Sequence, residues 1–412
     1  MASLSQVSFQ DFQWSPPNPC DHASSWMAAK AKKVSSKKTL KKLSKRPAGH
    51  ALPALRIEPA PEAPLEDVTI FNETARGNAP VRIGGDCSGW CTEHAASLAV
   101  LSVGLIHVFA SDSCKAARKF IHRFCQPLHL YNDVTTRAAP NNLDLYVAGF
   151  PCQPWSIAAG NGEGLSDKRG RGGIVEYIVD YIDKARPKSF LLENAPGLVT
   201  KFVSVFNLVI GTLRALKDST TGKAAYAVHW KILKPDVEGG LPQHRPRVYV
   251  VGILQTEMRR QFQWPTPIDT VALSQILEEH TGTWADLEQL SATKKTNVIK
   301  CLAKTCDDGA LPQDIDAIFD IGGTKPTIMK EVCPCLTVTR CQDQAYFSSQ
   351  QFRTLTITDM MRLQGVDENM FAGWDEILSP RQMGSLIGNA MCQSIVERVL
   401  RGIYLSLGVP CK

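Results

Sequence analysis

Residues 143–156 read LDLYVAGFPCQPWS. The first six of them form a short apolar run of the kind found in buried β-strands. Gly149 ends the run, and Cys152 follows between Pro151 and Pro154, whose rings restrict the backbone. The sequence therefore predicts a buried strand that leads directly into a constrained loop carrying a thiol.

Similar apolar runs lie on both sides of this strand and alternate with helical spacing. The predicted strands are 81–83, 106–110, 143–148, 189–192 and 248–254, and helical spacing covers 174–182 and 202–213. Such alternation predicts an α/β fold with a doubly wound, mostly parallel sheet, whose ligands bind beyond the carboxyl ends of the strands. The absence of an internal repeat disfavours a solenoid or a propeller.

The composition is that of a globular protein. The chain has 412 residues, a formal net charge of +6 and 13 cysteines. An odd number of scattered cysteines argues against a disulfide framework and for reduced thiols. No apolar run has the length of about 18 residues that a membrane helix needs, and the first 30 residues lack the features of a secretion signal. We therefore expect a soluble, intracellular protein with no membrane partner.

Positive charge is concentrated near the start of the chain. Nine basic residues and no acidic one lie between Lys30 and Arg46, and five prolines follow up to residue 64. This composition predicts a disordered, basic arm over residues 1–78. It could act as a nuclear address in a eukaryotic cell (otherwise the protein would be cytoplasmic), as a tether that neutralises phosphates, or as a solubility tail.

Two further segments carry reactive side chains near strand ends. Glu193 and Asn194 follow the strand 189–192, and residues 240–247, which precede the last predicted strand, supply Gln243, Arg245 and Arg247. Because the carboxyl ends of parallel strands meet at one edge of a sheet, we expect the thiol, the carboxylate and the arginines to face one crevice.

Taken together, these segments resemble the cytosine-5 DNA methyltransferases. The resemblance rests on residues 149–153, 193–194 and 243–247, and continues in Arg-Thr-Leu-Thr at 353–356, Arg-Leu-Gln-Gly at 362–365 and Ile-Gly-Asn-Ala-Met at 387–391. It spans about residues 81–405 in family order. It implies a Rossmann-like catalytic domain over 79–255 that binds S-adenosylmethionine, a smaller target-recognition domain over 256–378, and a segment 379–412 that returns to the catalytic domain.

The resemblance also implies a mechanism. Cys152 would add to carbon 6 of cytosine, so that carbon 5 can take the methyl group of S-adenosylmethionine. Glu193 would act at ring nitrogen 3. Arg247 and Arg245 would donate to the base carbonyl or to a phosphate.

The implied partner is double-stranded DNA, in which the target base must be flipped out of the stack. Gln153, Ser156, Gln243 and Arg169 are the expected substrate contacts. Arg169 lies in the glycine-rich segment 160–173, which has the composition of a mobile lid or of an ordinary surface loop.

The cofactor contacts are predicted from the same resemblance. Gly89 and Trp90 lie in the turn 84–93, where Cys87, Cys91 and Thr92 replace residues usual in the family. Asp112 would bind the ribose hydroxyls and Asp133 the adenine amino group, although a helix cap or a turn former is an alternative for each. The remaining predicted cofactor contacts are Pro151 and Asn389.

No metal is expected, because the spacing of Cys301, Cys306, Cys333, Cys335 and Cys341 fits no usual zinc motif. Three other functions stay open from the sequence. They are a transfer-RNA methyltransferase, a catalytically silent DNA-binding relative, and a nicotinamide-dependent oxidoreductase on the same type of sheet.

Overall fold

A computed structural model describes residues 79–156, 162–305 and 312–412. These residues belong to one compact unit. The predicted arm 1–78 and the first residues of the predicted lid lie outside the described residues.

A seven-stranded sheet forms the centre of the fold, in the order β3-β2-β1-β4-β5-β7-β6. Its strands are β1 Val81–Asp86, β2 Leu105–Ser111, β3 His129–Tyr131, β4 Leu145–Ala148, β5 Ser189–Asn194, β6 Tyr226–Leu233 and β7 Arg247–Leu254. Neighbouring strands from β3 to β5 are parallel, and β7 is antiparallel to both β5 and β6. The predicted doubly wound, mostly parallel sheet is confirmed.

Helices cover both faces of this sheet. The helices of the described residues are α1 Thr92–Val100, α2 Lys115–Phe124, α3 Ile174–Ala185, α4 Gly197–Thr200, α5 Val203–Ala215, α6 Pro235–Glu238, α7 Leu273–Ile276, α8 Trp284–Glu288, α9 Ala292–Thr305, α10 Val338–Gln342, α11 Ile357–Leu363, α12 Pro380–Asn389 and α13 Gln393–Ser406. One core joins α3 and α5 to the sheet, and a second core joins α1 and α13 to it. The helical spacing at 174–182 and 202–213 is therefore explained by burial against one face of the sheet.

The antiparallel strand β7 decides where the reactive residues meet. Its register pairs Glu193 with Tyr249 and Asn194 with Val248. Because β7 runs opposite to β5, its first residue, Arg247, lies at the edge of the sheet where β5 ends. The arginine at the start of β7 thus lies beside the carboxylate near the end of β5.

A second sheet lies within the predicted recognition region. It has four antiparallel strands in the order β11-β10-β8-β9, with β8 Ala317–Asp320, β9 Thr327–Lys330, β10 Tyr346–Ser348 and β11 Arg353–Thr354. A separate apolar cluster packs α9 against this sheet. The domain boundaries at 255 and 378 stay predictions.

Strands β3 and β6 were not predicted from the sequence. β3 has only three residues, and β6 lies at an edge of the sheet with several half-buried side chains. Such strands lack the continuous apolar run by which the buried strands were recognised. Within the described residues, none of the helices combines the length and the apolar character that crossing a membrane would require.

Candidate active site

The loop after β4 holds the thiol close to the sheet. Gln153–Trp155 form a 3₁₀ turn in which the Trp155 amide donates to the Cys152 carbonyl at 3.0 Å. The Trp155 ring is fully buried and meets the Phe202 ring edge-on, with 5.3 Å between ring centroids. Anchored in this way, Cys152 is a half-buried, free cysteine at the edge of the sheet.

Asn194 fixes the start of the same loop. Its side-chain amide donates to the Phe150 carbonyl at 3.0 Å, and its side-chain oxygen accepts from the Ala195 amide at 2.8 Å. Asn194 is buried. A side chain on β5 therefore sets the position of the loop that carries Cys152. The motif Glu193-Asn194 alone does not reveal this function.

Glu193 and Arg247 form an ion pair beside this loop. The distance from Arg247 Nε to Glu193 Oε1 is 3.1 Å, and both side chains are nearly buried. Gly149 lies next to this carboxylate, since a Cβ at that position would lie 3.8 Å from Glu193 Oε2. Burial raises the pKa of Glu193 above its ordinary value, and the guanidinium groups of Arg247 and Arg245 oppose this rise.

The charges around Cys152 act in opposite directions. Burial raises the pKa of the Cys152 thiol, Arg247 lowers it, and Glu193 raises it. The net effect is a raised pKa, so the resting thiol is mainly protonated at neutral pH. Deprotonation must therefore be assisted when a substrate binds.

Arg245 lies deeper than predicted. Only 2% of its surface is exposed, and its guanidinium group donates to the backbone carbonyls of Leu336, Gly388 and Ala390. Its predicted contact with the base carbonyl or with a phosphate stays a prediction. The three carbonyl contacts show Arg245 joining the segment before β7 to the recognition region and to the end of α12.

Gln243 has a comparable position. It is fully buried, and its side-chain amide donates to the Leu363 carbonyl at 2.6 Å. The backbone next to it pairs with Cys333, since the His244 amide donates to the Cys333 carbonyl at 2.8 Å. The contact of Gln243 with the substrate stays a prediction, and in the described structure its side-chain amide bonds within the protein.

Cys335 is a site residue that the sequence did not reveal. Arg245 and Arg247 each donate to its sulfur at 3.6 Å. Burial opposes ionisation, yet the two guanidinium groups hold the pKa of Cys335 below its ordinary value. The spacing of the cysteines in the sequence does not predict that Cys335 lies beside the two arginines. This position depends on the pairing of Cys333 with Gln243.

The predicted cofactor residues lie at the ends of β1 and β2. The Gly89 amide donates to Asp112 Oδ2 at 2.8 Å, and the Cys114 amide donates to Asp112 Oδ1 at 2.7 Å. Burial raises the pKa of Asp112, and these two amides oppose the rise. Asp112 thus holds the turn against the start of α2, while each carboxylate oxygen keeps lone-pair capacity for a hydroxyl group.

Asp133 and Trp90 fit their predicted roles less well. Asp133 Oδ1 accepts from the amide and the hydroxyl group of Thr135, both at 2.8 Å, which is the turn-forming alternative. The Trp90 ring is buried against Phe120 and Phe371, with centroid distances of 6.4 and 5.7 Å. The Trp90 ring is therefore used in packing, and its contact with a cofactor stays a prediction.

The turn keeps a backbone conformation typical of glycine although cysteine replaces glycine within it. Gly89 has a φ of 50°, and Cys87 and Cys91 each have a φ of 56°, a conformation that glycine adopts more readily. The Cys91 side chain is fully buried in a cluster with Ala110 and Ile121, between β2 and α2. The replacement therefore does not fill the space beside Gly89 and Asp112.

The remaining predicted contacts lie nearer the surface. Gln153 donates to the exposed Asn389 at 3.3 Å, which brings the thiol loop to the end of α12. Pro151 and Ser156 are half-buried beside Cys152, and Arg169 is exposed.

The described part of the predicted lid, residues 162–173, has internal structure. It contains two 3₁₀ turns, and Arg171 donates to Asp167 at 2.6 Å. The hydrogen bond from Arg171 lowers the pKa of Asp167 to about 2. This segment is a folded loop in the described structure, and its closure over DNA stays a prediction.

Comparison with known proteins gives the same family. The model of the C-5 cytosine-specific DNA methylases matches residues 94–404. The chain is 30% identical to Type II methyltransferase M.NgoBI of Neisseria gonorrhoeae over 303 residues, which cover 71% of this chain and 84% of that protein. It is 37% identical to M1.ScrFI of Lactococcus lactis subsp. cremoris over 267 residues, or 62% of each chain.

Solved structures share the fold. The Entamoeba histolytica methyltransferase EhMeth superposes with a TM-score of 0.57 at 16% identity, covering 80% of this chain and 99% of that one. The S. pombe Dnmt2 methyltransferase gives a TM-score of 0.53 at 16% identity, with coverage of 79% and 99%.

Fold, site and sequence together define a methyltransferase. The chain belongs to the C-5 cytosine-specific DNA methylase family and is a DNA cytosine-5 methyltransferase.

Proposed function

We propose that the chain transfers a methyl group from S-adenosylmethionine to carbon 5 of a cytosine flipped out of double-stranded DNA, through a covalent bond between Cys152 and carbon 6. The ion pair of Arg247 with Glu193, next to the loop of Cys152, carries this proposal. Family membership supports it, since the loop, the carboxylate and the arginine are the residues by which the chain resembles that family.

The first step forms the bond from sulfur to carbon 6. Addition of the Cys152 thiolate places an electron pair on the ring, and this charge reaches nitrogen 3. Burial raises the pKa of Glu193 above its ordinary value, which favours uptake of the proton that Cys152 loses and its delivery to nitrogen 3. Arg247 orients the carboxyl group through the contact at 3.1 Å.

The second step forms the bond to the methyl group. S-adenosylmethionine, when bound, supplies an electrophilic methyl group. Transfer of this methyl group to carbon 5 would break its bond to the sulfonium and release S-adenosylhomocysteine. Loss of the carbon 5 proton to a base would then expel the Cys152 sulfur from carbon 6. The two-step route replaces one difficult reaction with two easier ones. Gly89 and Asp112 would hold the cofactor at the ends of β1 and β2.

The DNA must lie across the same edge of the sheet. We propose that residues 256–378 contact the bases around the target and that the segment with Arg169 closes over the DNA backbone. The basic tract 30–46 would add phosphate contacts of no sequence preference. In a eukaryotic cell the same tract would direct the protein to the nucleus.

The test is transfer of tritium from labelled S-adenosylmethionine to mixed-sequence duplex DNA or, separately, to total transfer RNA. Cys152→Ala is compared with Cys411→Ala, which removes a thiol near the chain end. We expect label in DNA that is lost with Cys152→Ala and retained with Cys411→Ala. Label in RNA alone, or equal label with Cys152→Ala, would overturn the proposal.

A further inference from the structure

A second group of reactive side chains lies at the buried side of the cofactor turn, and the proposed methyl transfer does not use it. Cys91 and Glu93 come from the start of α1, and His107 comes from β2. Their exposed fractions are 0%, 1% and 5%. A thiol, a carboxylate and an imidazole are thus enclosed together between two neighbouring elements of the fold.

Their ligand atoms converge on one point. Cys91 Sγ lies 3.8 Å from Glu93 Oε1 and 4.0 Å from His107 Nδ1, and the three ligand atoms lie within 4.8 Å of one another. A tetrahedral zinc ion with bonds of about 2.0–2.3 Å separates its ligand atoms by about 3.5 Å. Only a small contraction is needed for these atoms to bind one ion.

Two buried polar atoms in this group have no hydrogen-bond partner among the described residues. Within the described residues, Glu93 Oε2 and His107 Nε2 are buried and have no hydrogen-bond partner. Buried polar side chains are rarely left in this state. A cation at the converging atoms Glu93 Oε1 and His107 Nδ1 would neutralise the buried carboxylate and keep the proton of the imidazole on Nε2.

The backbone conformation of Cys91 also supports a metal-binding role. It precedes α1 with a φ of 56° and a ψ of 40°, a left-handed conformation that glycine adopts without strain. A cysteine at this position therefore has a conformational cost that a glycine would not have. Cys125, at the end of α2, packs against Cys91 in the same small cluster and offers a second thiolate.

We infer that Cys91, Glu93 and His107 bind a structural zinc ion and that Cys125, which packs against Cys91, turns its thiolate toward the ion as the fourth ligand. Two thiolates, one imidazole and one carboxylate are all ligands that Zn²⁺ accepts, and four protein ligands close its coordination. The site would join the turn after β1 to β2 and α2. The bound zinc would thereby hold Gly89 against Asp112 in a turn that lacks the family's later glycines.

This inference is independent of the proposed methyl transfer, and its test measures metal. The full-length protein, purified without a metal-binding tag, is dialysed against a chelator and its zinc content is determined by mass spectrometry. We expect about one zinc per chain. Exchange for Co²⁺ should then produce the charge-transfer absorption of a cobalt–thiolate bond. A wild-type protein that is folded and free of zinc would overturn the inference.

Variants locate the ion. Cys91→Gly removes a ligand and relieves the strain at positive φ, so it should fold, lose the zinc and lose the cobalt–thiolate absorption. Cys301→Ser, a buried thiol in α9 outside the group, should keep both. His107→Gln serves as a second ligand variant if Cys91→Gly does not fold. Retention of zinc by a folded Cys91→Gly or His107→Gln protein would contradict the assignment.

Discussion

Arg247 Nε lies 3.1 Å from Glu193 Oε1, although 53 residues separate the two along the chain. The contact exists because β7 is antiparallel to β5, so that the first residue of one strand lies beside the last residues of the other. Both side chains are nearly buried, where removal of one partner leaves the other charge uncompensated. The pair therefore links the architecture of the sheet to the chemistry at Cys152.

Glu193→Gln tests the proton donor. Glutamine keeps the size of the side chain but cannot deliver a proton to nitrogen 3. Single-turnover methyl transfer should fall by about 10²–10³-fold, as expected for loss of general acid catalysis. Binding of S-adenosylmethionine, measured by calorimetry, should be unchanged. A transfer rate within threefold of wild type would remove Glu193 from the mechanism.

The same variant should make Cys152 more reactive toward an alkylating agent. The negative charge of Glu193 raises the pKa of the Cys152 thiol. Removing this charge lowers the pKa of the thiol, so a larger fraction of Cys152 is thiolate at a given pH below that pKa. The rate of modification of the peptide that contains residue 152, followed by mass spectrometry against pH, should rise at a lower pH than in wild type. A shift toward higher pH would contradict the electrostatic account.

Asn194→Ala tests the support of the thiol loop. It removes the hydrogen bond of 3.0 Å to the Phe150 carbonyl and leaves a buried acceptor unpaired, which costs about 1–3 kcal/mol. Methyl transfer should fall by more than the loss of folded protein explains, because Cys152 moves from its position. Asn132→Ala, at an exposed position, is the control and should change neither quantity.

Arg245 and Arg247 should respond differently to substitution. Arg245→Met removes donors to three backbone carbonyls and should lower the free energy of unfolding by about 2–4 kcal/mol. Arg247→Lys keeps a positive charge but changes the geometry of the contact with Glu193. It should lower methyl transfer strongly with a smaller effect on stability. Denaturant unfolding and single-turnover rates measured on both variants distinguish these roles. Equal stability losses would show that the division is wrong.

The basic tract should act through phosphates. A variant without residues 30–46 loses nine positive charges and should bind duplex DNA more weakly, most of all at low salt. The slope of log affinity against log salt concentration should become less steep. An unchanged slope would mean that the tract does not contact DNA.

Much of the fold followed from local sequence patterns. The central strands 143–148 and 189–192 and the helices α3 and α5 could be recognised because each buries a continuous apolar run or a helical face. β6 could not, because an edge strand with half-buried side chains lacks that run. The antiparallel direction of β7 could not be predicted either. The direction in which two strands pair depends on the connection between strands and not on any single residue.

The site could be predicted only in part for the same reason. Cys152, Glu193 and Arg247 could be predicted as site residues because their side chains carry recognisable chemistry, and their roles stay predictions. The burial of Arg245 and Gln243 depends on contacts with residues 90 to 145 positions away, which local patterns do not contain. The position of Cys335 beside both arginines depends on the pairing of Cys333 with Gln243.

The most direct test of the central claim is trapping of the covalent adduct. Mixed-sequence duplex DNA with 5-fluorocytosine in place of cytosine is incubated with the protein and S-adenosylmethionine. Fluorine cannot leave carbon 5 as a proton does, so elimination of the sulfur is blocked. We expect a complex that survives denaturation, maps by mass spectrometry to the peptide containing Cys152 and is absent with Cys152→Ser. A bond to Cys335, or no stable complex with an active wild-type protein, would contradict the account.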